Sequence, residues 1–164
     1  MTQTTETGET IETPAIVAML NQKGGVGKTT LTIHVAGALV DRGLDVLVVD
    51  LAPEGALTSI LGYDDAYSDL DREVSLHELL LDPSRAGDVD DLVLEGAEFD
   101  LLPANERMVD RTGRELNGEP RARERLKMVL DEFGDGYDVV LVDNMPSINV
   151  LTDNALVASD GVLI

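Results

Sequence analysis

A chain of 164 residues, 43% of them hydrophobic and 27% charged, is long enough for one domain with a sizeable core and too short for two. Its 12 basic against 32 acidic side chains give a formal net charge of −20 spread along the chain, which excludes the block pattern of an acidic tail or nucleic-acid mimic and fits a halophilic protein kept soluble in high salt. The absence of cysteine excludes disulfides and cysteine-ligated metal clusters and suits the cytoplasm, and no run reaches the roughly 18 to 20 apolar residues of a membrane span.

Residues 1–13 are rich in Thr and Glu rather than basic and apolar, so they are no signal peptide and are expected to form a flexible acidic tail before a single domain over 14–164. Residues 15–20, after Pro14, are apolar without alternation, which predicts a strand buried on both faces. Gly-rich residues follow at once. Residues 29–41 then carry Leu31, Val35 and Leu39 four apart, with Ala36 and Val40 widening the stripe, and predict a helix that Gly43 stops. Residues 46–49 form a second doubly buried strand closing on Asp50, which completes a βαβ unit with a parallel sheet. Residues 57–61 predict one or two helical turns, 62–71 an acidic loop, and 75–81 a short helix with Ser75 as N-cap and Glu78 at the capping-box position. Residues 98–103 resemble a strand ending at Pro103, and 121–133 read as a helix that Gly134 and Gly136 terminate. Residues 137–142 are the third clear buried strand, ending on Asp143; 151–158 predict a helix and 161–164 a strand. That last strand stops inside an apolar run that wants neighbours on both sides, so the natural protein is expected to continue past Ile164.

Lys23, Gly24, Gly25, Val26, Gly27, Lys28, Thr29 and Thr30 lie between a buried strand and a helix N-terminus, where a phosphate site belongs. Glycines let consecutive N–H groups converge on phosphate oxygens, Lys28 can reach the β- and γ-phosphates of ATP, and Thr29 can ligate Mg²⁺. A Gly-rich turn with an incidental lysine is the bland alternative for a bare GK pair; the placement between strand and helix argues against it. Asp143 closes a strand at the place where a carboxylate can hold water on Mg²⁺. An aspartate there is also a common turn former, and it gains weight from the loop beside it.

The usual phosphate-loop pattern has a glycine five positions before Gly27, where this chain has Gln22, and Lys23 adds a second lysine. This is the deviant Walker A spelling, and residues 21–32 resemble the ParA, Soj and MinD proteins, most closely the ParA/Soj partitioning ATPases. The resemblance implies a P-loop NTPase fold, a three-layer α/β/α sandwich with a mostly parallel sheet whose C-terminal part is missing here. It also implies an ATP-dependent sandwich homodimer in which Lys23 reaches the partner's nucleotide, although a lysine beside a triphosphate could simply add attraction in cis. Residues 142–147 and 151–156 look like the family's D-x-x-P-S segment and following helix, with Asn144 and Met145 a less common spelling. By the same resemblance Lys23, Lys28 and Asp50 are catalytic, Thr29, Asp50 and Asp143 surround the metal, and Asp50 begins the switch that senses the γ-phosphate.

Family members usually read D-x-D-P-Q at that switch, whereas here the residues are Asp50, Leu51, Ala52, Pro53 and Glu54. The missing aspartate helps orient the attacking water in the family, so Ala52 implies slow hydrolysis. Either the chain is a natural slow hydrolyser or it carries a substitution that traps ATP; the intact remainder of the site favours the second.

Partners are less sharply marked. Of the 12 basic residues seven, namely Arg107, Arg111, Arg114, Arg121, Arg123, Arg125 and Lys127, form an island that could touch DNA phosphates or could be a salt-bridged helix face. The resemblance implies non-specific DNA binding at the nucleoid and a ParB-like or cargo-adaptor partner. A MinD-like membrane-associated regulator would need a C-terminal amphipathic helix that these residues lack, a non-hydrolysing scaffold fits Ala52, and a metal-cluster carrier is disfavoured by the want of cysteine.

Overall fold

The computed structural model describes residues 2–4, 10–12, 14–133 and 136–164. In chain order its elements are β1 (Thr2–Thr4), β2 (Thr10–Glu12), β3 (Ala15–Met19), α1 (Lys28–Val40), β4 (Val46–Asp50), α2 (Ala56–Ile60), α3 (Asp64–Ser68), α4 (Leu76–Leu81), β5 (Asp100–Leu102), α5 (Thr112–Leu116), α6 (Arg125–Phe133), β6 (Val139–Asp143), α7 (Val150–Ala158) and β7 (Gly161–Leu163). Short 3₁₀ segments at Pro83–Asp91 and Glu106–Met108 join α4 to β5 and β5 to α5.

Five strands form one all-parallel sheet in the order β5-β4-β6-β3-β7. The unbroken apolar runs follow from burial on both faces. Leu47, Val49, Val140 and Val142 pack against α4, α6 and α7, while Val46, Val48 and Leu141 pack against Ala36 of α1 and Leu57 of α2. The result is the expected three-layer α/β/α arrangement. Because β6 lies between β3 and β4, with Asp143 level with both Met19 and Asp50, the two strand-ending aspartates meet at the sheet's C-terminal edge.

Several local expectations change in the structure. Helix α1 buries Thr32 and Ala36, while Leu31, expected on the core stripe, is 42% exposed. The Thr29 and Thr32 hydroxyls bond to Asp143 at this end of the helix, while Val35, Leu39 and Val40 of the expected stripe pack against the core. The acidic loop over 62–71 contains α3. The helix expected over 121–133 begins only at Arg125, because Arg121 follows Pro120 with a φ of 55° that no helix accommodates. The stop expected at Gly134 lies outside the described residues. Ser75 is the N-cap of α4, yet its hydroxyl donates to the Glu78 carboxylate instead of capping the backbone. Of the segment expected to be a tail, Thr2–Thr4 pairs antiparallel with Thr10–Glu12 as a ribbon separate from the central sheet, and residues 1, 5–9 and 13 lie outside the described residues. Among the described residues no helix is long and apolar enough to cross a membrane.

The second layer is fastened by Asn154, fully buried on α7. Its Oδ1 accepts from Leu126 N at 2.9 Å, and its Nδ2 donates to Ala122 O and Val150 O, both at 2.7 Å, which replaces a local cap at the start of α6. Asn154→Ala strands buried polar groups on α6, so it is expected to destabilise the chain by about 2 kcal/mol. Denaturant unfolding checks this; an unchanged midpoint and slope would show that water replaces the lost bonds.

Candidate nucleotide-binding site

Helix α1 starts without a side-chain cap. Its N-cap is Gly27 at φ 87°, and Gly25 two residues earlier stands at φ 72°, conformations that glycine adopts freely. The first-turn N–H groups have no intrahelical acceptors and lie at the positive end of a 13-residue helix, so the exposed loop presents donors to an anion. Lys23 is exposed, with its backbone N–H donating to Asn21 Oδ1 at 3.0 Å, and Lys28 lies at the loop's inner end. Neither lysine enters an ion pair among the described residues, although most other cations of the chain do.

Behind the loop, Asp143 accepts from Thr29 Oγ1 at 2.7 Å and from Thr32 Oγ1 at 3.1 Å. Burial pushes its carboxyl above the ordinary aspartate range, against the opposing pull of the two hydroxyls and the Lys28 charge. Asp50, level with it on β4, is fully buried and accepts from Thr58 N at 2.9 Å, Thr58 Oγ1 at 2.7 Å and Ala52 N at 3.2 Å. Burial, with a smaller contribution from the Asp143 charge, pushes Asp50 up to about 6 despite those bonds. Ala52 brings no polar side chain to the site.

The sequence-derived residues therefore converge: the loop, Lys28, Thr29, Asp50 and Asp143 share one edge of the sheet. Sequence reasoning gave no role to Thr32 or Thr58. Thr32 carried a signal, since it stands three residues after Thr29 and so on the same helix face; Thr58 carried none, because its bond to Asp50 depends on how α2 folds back.

This arrangement fits a magnesium-bound triphosphate. Two buried carboxylates held side by side are relieved by a cation, and the helix N-terminus and Lys28 complement phosphate. Among the described residues no group of three His, Cys, Asp or Glu side chains could hold a metal. A hydroxyl and two carboxylates suit Mg²⁺, which keeps waters and takes phosphate oxygens.

The basic island resolves mostly into ion pairs: Arg107 with Glu78, Arg111 with Glu115, Arg121 with Glu124, Arg123 with Asp153, Arg125 with Glu119 and Lys127 with Asp131. Arg114 donates to the Asp110 carbonyl.

A family model described as an AAA domain matches residues 14–164. The chain is 44% identical over 149 residues to the chromosome-partitioning ATPase Soj of Thermus thermophilus and 39% identical over 153 residues to the sporulation initiation inhibitor protein Soj of Bacillus subtilis. These matches cover 90% and 91% of this chain but 53% and 56% of the relatives, so the chain spans about half the length of the curated relatives it matches. A solved structure of cobyrinic acid a,c-diamide synthase from Mycobacterium smegmatis with bound ADP and magnesium is similar with a TM-score of 0.78 and 38% identity, over 90% of this chain and 58% of that one. The chain belongs to this AAA-domain family of P-loop ATPases, among the relatives of the Soj/ParA chromosome-partitioning proteins.

Proposed function

We propose that this chain is the nucleotide-binding part of a ParA/Soj-like ATPase that works as an ATP-dependent homodimer switch in the partitioning of a chromosome, plasmid or other cargo. The observation that carries this is the meeting of an uncapped, glycine-led helix N-terminus with the Thr29–Asp143 and Thr58–Asp50 pairs at one sheet edge. Its ligands are ATP and Mg²⁺, in keeping with the ADP and magnesium of the solved relative. When bound, Mg-ATP supplies a transferable γ-phosphoryl group and the cation that neutralises it.

Within this chain the N–H groups of residues 23–30 and the Lys28 ammonium bind the phosphates. Thr29, Asp143 and Asp50 hold the cation through oxygen and water contacts. In this reading Lys23, exposed and outside every described ion pair, reaches a nucleotide held by a second copy. Ala52 leaves the site without the carboxylate that orients water, so binding is retained and turnover is slow; a scaffold that binds ATP without hydrolysing it is the limiting form of the same proposal. Six of the seven cations within residues 107–127 are paired with carboxylates, which favours a salt-bridged face over a DNA surface there; non-specific DNA and nucleoid contacts, with a ParB-like or cargo adaptor, belong to the whole cytoplasmic protein.

Three outcomes are expected. Lys28→Ala should abolish binding of a fluorescent ATP analogue; equal affinity in both proteins would remove the phosphate-loop assignment. Light scattering should show a dimer with ATP and not with ADP, weakened by Lys23→Ala, and a monomer in every nucleotide state would count against the role in trans. Introducing the family carboxylate by Ala52→Asp should raise ATP turnover by ~10²-fold while leaving affinity nearly unchanged. Identical rates for the two, with DNA and partner supplied, would show that position 52 does not act in hydrolysis.

A further inference from the structure

Helix α3 and the turn after it lie against the segment that follows Asp50. Tyr67 of α3 covers Gly55 so closely that a Cβ built there would overlap ring atoms Cδ2 and Cε2, and Gly55 itself stands at φ 61°. The Tyr67 hydroxyl donates to Pro53 O at 3.0 Å, so one side chain grips both ends of the Pro53–Gly55 bend. The tyrosine is in turn held from behind. Asn105, 2% exposed, donates through Nδ2 to Asp69 O at 3.0 Å and Ala66 O at 3.4 Å, and the Arg107 guanidinium donates to Leu70 O while pairing with Glu78 at 2.7 Å. Next to Asn105, Ala104 N donates to Thr58 Oγ1 at 3.1 Å, the same hydroxyl that donates to Asp50. The bend after Asp50 thus sits between a fixed hydrogen-bond network and an aromatic clamp.

We infer that Tyr67 is a positioning residue that holds the Pro53–Gly55 bend, through its ring on Gly55 and its hydroxyl on the Pro53 carbonyl, in the form that distinguishes a nucleoside triphosphate from a diphosphate. This role rests on the ATP-switch function proposed above for Asp50 and the segment after it. A bend containing a glycine at positive φ has other conformations open to it, and each must be frozen out when a γ-phosphate is engaged. The clamp settles that ordering before the nucleotide arrives, so the triphosphate spends none of its binding energy on it. A diphosphate makes no demand on the bend and is indifferent to the clamp.

The test is a titration of the chain with fluorescent ATP and ADP analogues in Mg²⁺, comparing wild type, Tyr67→Phe and Tyr67→Ala. Removing the ring and hydroxyl should weaken triphosphate binding about tenfold, and removing the hydroxyl alone about threefold, while diphosphate affinity stays within about twofold. A tyrosine that serves packing alone would lower the thermal midpoint and leave the triphosphate-to-diphosphate ratio where it was. A wild-type chain that binds neither nucleotide removes the ATP-switch function and this role with it. A wild-type chain that binds both equally, or variants that keep the wild-type preference, overturn the role of Tyr67 and leave nucleotide binding standing. If Tyr67→Ala does not fold, Tyr67→Phe, which retains the ring on Gly55, decides the outcome alone: an unchanged ratio overturns the role.

Discussion

Asp143 ends a strand with neighbours on both sides, and its carboxylate is held from the helix layer by the hydroxyls of Thr29 and Thr32. Those two bonds tie the first turn of α1 to the end of β6, while Ile33, Val35, Leu39 and Val40 hold the rest of the helix on the core. A buried carboxylate without partners would be far costlier than one exposed leucine, so at this turn the two hydroxyls matter more than the burial of Leu31.

Asp50 is held by a comparable device on the next strand. Thr58 on α2 donates to it through both its backbone N–H and its hydroxyl, Ala52 N donates as well, and the Thr58 hydroxyl also accepts from Ala104 beyond β5. The segment between Asp50 and Thr58 is thereby drawn into a tight bend at the sheet edge. Burial raises both aspartates above their ordinary range, and Asp143 adds its charge to Asp50. Such a pair is destabilised as anions and is poised to gain from a cation, which is how a folded chain can store affinity for a metal in the positions of its carboxylates.

Charge elsewhere is organised differently. Most cations outside the phosphate loop find carboxylates or carbonyls nearby, and exposed pairs of this kind add little to stability. Lys23 and Lys28 are set apart from that pattern. In a chain with so large an excess of acidic residues, two lysines that have no ion pair among the described residues, set at one helix N-terminus, favour an anion there.

The order of residues determined the strands, because doubly buried segments such as 46–49 have to be apolar throughout, and it determined the phosphate loop, because glycine adopts most freely the positive φ found at positions 25 and 27 beside a helix start. It also marked Asp50 and Asp143, each placed directly after an apolar run. Which two strands would put those aspartates level was a matter of sheet order, decided by β6 entering between β3 and β4. Only the tertiary structure gave work to Thr58, Tyr67, Asn105 and Asn154, whose partners include residues from 8 to 46 positions away. Spacing along a chain records periodic burial and local turns; a hydrogen bond across a sheet edge leaves no period behind, so it becomes visible only once the layers have packed.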